Sequence, residues 1–176
     1  MWNAGFHFRG CRRAIVIGFK RRFWNYSYDH RGTASDPGLV VCAVETSNRA
    51  DIIEGLLIEI PSDNVEGILN MLDVREKCGY IRTVTDAFDH MSTERIGEVF
   101  IYCAYREDPN VTVFMNPRNG VDCTLDELEH IARVIRSANG PSGRNIEYLK
   151  RLYESLMQWG IYDDHIHTLY ELCSGP

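Results

Sequence analysis

The chain has 176 residues, 44% hydrophobic and 25% charged, enough for one ordinary globular domain with its own core. No apolar run approaches the roughly 20 residues that span a bilayer. The basic opening MWNAGFHFRGCRR lacks the continuous apolar stretch and small-residue cleavage site of a signal peptide, so no membrane partner is expected. The net charge of −6 is uneven, because residues 1–31 hold seven Arg and Lys against Asp29 alone, giving +6 there and −12 in the remainder.

Such a basic segment suits an anionic ligand or nucleic acid, or a strand face that pairs with the acidic remainder. The aromatic and basic mixture lacks an RNP-like or other nucleic-acid pattern, so no nucleic-acid partner is expected. The six cysteines are scattered with no CxxC or CxxxC pair, which argues against a cysteine zinc site and reads as reduced thiols in the cytosol.

In chain order, residues 12–24 are strand-like at their apolar centre. Residues 39–45, 52–60, 80–88 and 97–105 are short runs rich in β-branched and aromatic residues, each predicted as a strand. HRGTASDPG at 30–38 is a loop. Ser62 is the expected cap of a helix over DNVEGILNMLDVRE, with Val65, Leu69 and Leu72 on its apolar stripe. Thr124 and Glu127 form a capping-box pattern ahead of Leu125, Leu128, Ile131 and Ile135. NGPSG breaks that helix, Ser142 is placed to cap the next, and a last helix fits 163–173. Strands with one helix, followed by helices, predict an α+β fold with a mostly antiparallel sheet or barrel.

Glu76 is the most unusual placement. It continues the apolar stripe of the first helix, and it sits in the last turn, where the helix dipole disfavours a carboxylate. Such a group serves as a general acid or base; equally, a neighbouring cation pairs with it. Gly79 follows as a helix stop, and Tyr80 opens the next strand. In the loop after residue 28, His30 and Arg31 are placed to hold a carboxylate, or to be neutralised by Asp29 in a structural turn. His165 and His167 form HxH, whose rings diverge on a helix, so no metal site is expected. No nucleophile elbow, P-loop or dinucleotide fingerprint is present.

Four segments together, MWNAGF (1–6), RRFWNYSYDHRGTASDPGLVV (21–41), LDVREKCGY (72–80) and GPSGRNIEYL (140–149), resemble the ChaC family of glutathione-specific γ-glutamylcyclotransferases in order and spacing. The resemblance implies a small β-barrel with flanking helices, and a cytoplasmic lyase. Its substrate is glutathione, cut to 5-oxoproline and cysteinylglycine without metal or organic cofactor. It puts the catalytic glutamate at Glu76 and substrate-binding candidates at Trp2, Arg31 and Tyr80. The alternative is a non-catalytic relative that binds a γ-glutamyl ligand or a protein partner. Cys78 and Leu39 depart from the family pattern, which has Gly and often Arg there. The family's Tyr-Gly-Ser-Leu loop falls just before the position of Trp2, so the expectation is a single domain over residues 1–176 that is incomplete at its N-terminus.

Overall fold

The computed structural model describes residues 4–46, 48–76, 79–104 and 122–175. Two compact units emerge, Met1–Lys20 with Ala43–Asn110, and Arg21–Cys42 with Val111–Pro176.

In the first unit, β1 (Gly10–Ile17) pairs antiparallel along its whole length with β4 (Ile52–Glu59). Through Ala14–Val16, β1 also pairs antiparallel with β5 (Tyr80–Asp89), and β5 pairs with β6 (Arg95–Ala104). The β5–β6 turn closes on Asp89, whose Oδ1 accepts from the backbone N–H groups of Met91 and Ser92. Helix α1 (Val65–Arg75) buries Leu72 of the expected stripe together with Ile68, whereas Val65 at its start is exposed.

The predicted strand over 12–24 is two strands. Gly18, at φ +85°, breaks it between β1 and β2 (Phe19–Ser27), donating to Asp51 and accepting from Thr46. That left-handed corner is open to glycine and strained for other residues. Both β2 and β3 (Gly38–Glu45) carry residues of each unit. The strand order is β2-β3-β6-β5-β1-β4. No pairing among the described residues joins the end strands β2 and β4, so the α+β class holds but the expected closed barrel does not. Closure would need a second partner for β4, and the chain leaves that strand at Pro61 for α1.

The second unit is helical. Helices α2 (Leu125–Ser137), α3 (Asn145–Gln158) and α4 (Asp164–Ser174) bury Ile131, Ile135, Leu149, Leu156, Ile166 and Leu169. The Thr124–Glu127 capping box is present with both reciprocal bonds, and the Asp163 side chain caps α4. Leu125, expected on the buried stripe, is exposed at the first turn. Neither predicted serine caps a helix. Asn64 precedes α1, and Ser142 spends its N–H on the His30 carbonyl within the loop between the two-residue strands β7 (Asn139–Gly140) and β8 (Gly143–Arg144). Buried Asn145 starts α3 and fixes Leu39 by both amide atoms, at 2.7 Å each way.

Much of the basic N-terminal run is paired internally: Arg13 with Glu54, Lys20 with Asp51, Arg21 with Asp163, and Arg22 with Asp122. The described cysteines are free thiols, and burial pushes Cys103 and Cys173 up to about 11. Among the described residues no helix is long and apolar enough to cross a membrane.

His165 of the HxH pair is buried, and its Nε2 accepts the Phe23 N–H at 3.0 Å. Acceptance requires the neutral ring. Burial first, then the charges of Arg22 and Arg21, lower its pKa from 6.5 to about 3. A group so depressed stabilises the fold above its unfolded pKa and loses that stabilisation as pH falls toward the folded value. Urea unfolding between pH 5.5 and 4.5 is therefore expected to show about one more proton bound on unfolding in the native chain than in His165→Gln, a slope difference of about 1.4 kcal/mol per pH unit. Equal slopes in the two proteins would contradict this assignment.

Candidate active site

Helix α1 ends at Arg75, and Glu76 is its C-terminal cap, with its N–H bonded to the Leu72 carbonyl. A carboxylate there meets the negative end of the helix dipole. The fold answers with the preceding residue: Arg75 Nε lies 2.8 Å from Glu76 Oε1. The arginine's second nitrogen donates to the Ala4 carbonyl at 2.9 Å. Glu76 is thus held on one oxygen, with its side chain about a quarter exposed.

Beside this end of the helix lies a mostly apolar cavity of about 920 Å³, contained within the first unit. Val65, Leu69 and Leu72 of α1 face it, together with residues of β1, β4 and β6. The lining continues from Leu72 to Arg75, not to Glu76. The sequence stripe thus runs on at a spacing of three rather than four, and the carboxylate stands next to the cavity's cationic corner. Gly79, at φ +93°, lies in the turn before β5, too late to cap α1 itself. Tyr80 then opens β5 opposite Ala104, its side chain half-buried.

A second polar group at this end of α1 was not found by sequence reasoning. Tyr102, which also lines the cavity, donates its hydroxyl to Asp73 Oδ1 at 2.6 Å, and Arg82 approaches Oδ2 at 3.3 Å. Burial, with the Asp73 carboxylate adding to it, pushes the Tyr102 hydroxyl up to about 12. The only sequence signal was an acid one turn before the helix end. Its partners lie nine and 29 positions downstream, out of reach of any local pattern.

Arg31 belongs to the second unit. It is buried, with its N–H on the Ser27 hydroxyl, one guanidinium nitrogen on the Arg144 carbonyl at 3.3 Å, and its plane over the Tyr148 ring. Burial lowers its pKa. The segments around Arg31 and around Gly140 therefore meet in the second unit, as those around Ala4 and Glu76 meet in the first. Trp2, Lys77 and Cys78 lie outside the described residues. Asn25, buried on β2, has neither amide atom hydrogen-bonded.

The comparisons with known proteins agree with one another. The sequence model of the family described as ChaC-like protein matches residues 1–174. The chain belongs to the ChaC-like family. Its similarity to other members is moderate and nearly full length. A glutathione-specific γ-glutamylcyclotransferase 1 from Danio rerio is 30% identical over 156 residues, covering 88% of this chain and 73% of that protein. γ-Glutamylcyclotransferase 2-3 from Arabidopsis thaliana is 31% identical over 173 residues, covering 96% of this chain and 81% of that protein. A crystal structure of the yeast γ-glutamylcyclotransferase specific to glutathione superposes with a TM-score of 0.79 at 23% identity, covering 95% of this chain and 88% of that one. This ChaC-like chain therefore shares that enzyme's fold.

Tyr102→Phe removes the donor to Asp73 while keeping the ring in place. It should destabilise the protein by about 1 kcal/mol, seen as a fall of a few degrees in Tm. An unchanged Tm would show that the Asp73 contact contributes nothing net.

Proposed function

We propose that this chain is a γ-glutamylcyclotransferase that cleaves glutathione to 5-oxoproline and cysteinylglycine, with Glu76 as the proton carrier. Family membership and the names of its relatives support the reaction. The observation that carries the assignment of Glu76 is its setting: a half-buried carboxylate next to a large cavity, held by one oxygen, with no hydrogen bond on Oε2 from the described residues.

The reaction needs a proton moved twice. The substrate's α-amino nitrogen attacks its own γ-carbonyl carbon and closes a five-membered ring. As the C–N bond forms, Glu76 takes a proton from that nitrogen. The tetrahedral intermediate then expels the cysteine nitrogen, which takes the proton back from Glu76. The atoms balance without water or a redox partner. Because nucleophile and electrophile share one molecule, a site that holds the γ-glutamyl chain folded contributes effective molarity directly.

Tyr80, directly after the Glu76 turn, is a proposed wall of the γ-glutamyl pocket. Trp2 is a further proposed contact. Arg31 is a proposed carboxylate anchor, since one main-chain carbonyl and one ring face engage only part of a guanidinium with five donors.

Glu76→Gln keeps the side chain's size and removes its ability to accept the amine proton. It should lower 5-oxoproline release from glutathione by at least about 10²-fold, the lower range for loss of a general base, with an unchanged circular dichroism spectrum. Turnover near that of the native chain would sink the proposal.

A further inference from the structure

We propose that Arg75 is the positioning residue of the site: it fixes the Glu76 carboxylate so that Oε2 alone is presented to the substrate amine. The inference rests on the reading of Glu76 as proton carrier.

The geometry has three parts. Arg75 Nε holds Glu76 Oε1 at 2.8 Å, and another nitrogen of the same planar group is anchored 2.9 Å from the Ala4 carbonyl. Two hydrogen bonds from one planar group limit how far the guanidinium swings, and with it the oxygen it holds. Gly5 closes the third side. A Cβ on that residue would come within 3.1 Å of the Arg75 terminal nitrogen, and its φ of +78° disfavours any side chain. The Gly5 backbone thus packs close against the end of the Arg75 side chain, and a side chain there would have to displace it. Arg75 also lines the cavity, so the carboxylate it holds stands next to that lining, about a quarter exposed.

A last-turn arginine has a simpler use as a partner for the helix dipole. That role needs a positive charge near the helix end, and nothing of the bond to Ala4 or the packing against Gly5. The two roles differ in what they predict. A dipole partner changes stability, whereas a positioning residue changes kcat at constant folding.

The test compares Arg75→Ala, Gly5→Ala and Glu76→Gln with the native chain, measuring kcat and KM for 5-oxoproline release together with Tm. For Arg75→Ala, kcat should fall by about 10- to 100-fold, the scale of a misplacement of about 1 Å. KM should stay within about twofold, and millimolar guanidinium salt should restore part of kcat. Gly5→Ala should lower kcat in the same direction, although it touches neither charged group chemically. Native kcat in Arg75→Ala would overturn the inference. So would a loss of kcat that tracks a fallen Tm and is not relieved by guanidinium. If Glu76→Gln is inactive while Arg75→Ala is fully active, only the positioning role fails. If Glu76→Gln is active, the reading of the site fails with it.

Discussion

A carboxylate at the C-terminal end of a helix is opposed by the aligned carbonyls behind it, and α1 places Glu76 there. Everything distinctive about the first unit's site follows from how that conflict is resolved. The neighbouring guanidinium offsets the charge through one oxygen, and its own anchoring on Ala4 draws the N-terminal stretch against the helix end. The Asp73–Tyr102–Arg82 group secures the same turn of α1 to β5 and β6. The helix is therefore tied at its last turn from two sides, and the carboxylate rides on a rigid element. The proton carrier proposed at Glu76 would need such a mounting.

The second unit follows a different logic. Buried side chains there satisfy main chain: Asn145 bonds both backbone atoms of Leu39, His165 accepts the Phe23 N–H, and Arg31 gives one guanidinium nitrogen to the Arg144 carbonyl. Buried side chains that satisfy backbone groups let loops pass through an interior without a ladder of their own. The segments of the resemblance thus divide between the units: Ala4 meets the end of α1 in the first, and the stretches around His30 and Ser142 meet in the second.

Local signals were legible wherever the determinant lay within a few residues. The capping box at Thr124–Glu127, the helix over 65–75 and most strands formed as expected, because caps and periodicity act over one or two turns. The errors came from longer-range partners. Ser142 reads as a cap, yet α3 begins only at Asn145 and the Ser142 hydroxyl lies against His30 Nδ1, and residues 12–24 read as one strand until Gly18 bonds to Asp51 and Thr46. A closed barrel looks natural from a list of strands, yet closure depends on what β4 pairs with, which no local pattern states. Glu76 stood out because it broke a rule. Arg75 was legible as a neighbouring cation able to pair with it, and does so, but its second bond to Ala4, 71 positions away, was not. Tyr102 was an ordinary strand residue until α1 brought Asp73 to its hydroxyl.

The central claim is that bond cleavage is an internal attack by the substrate amine rather than hydrolysis. The most direct measurement is turnover of glutathione in water enriched in oxygen-18, with the products read by mass spectrometry. The account predicts 5-oxoproline carrying no label from solvent, formed in step with cysteinylglycine. Glutamate carrying one solvent oxygen would contradict it, because water would then be the nucleophile.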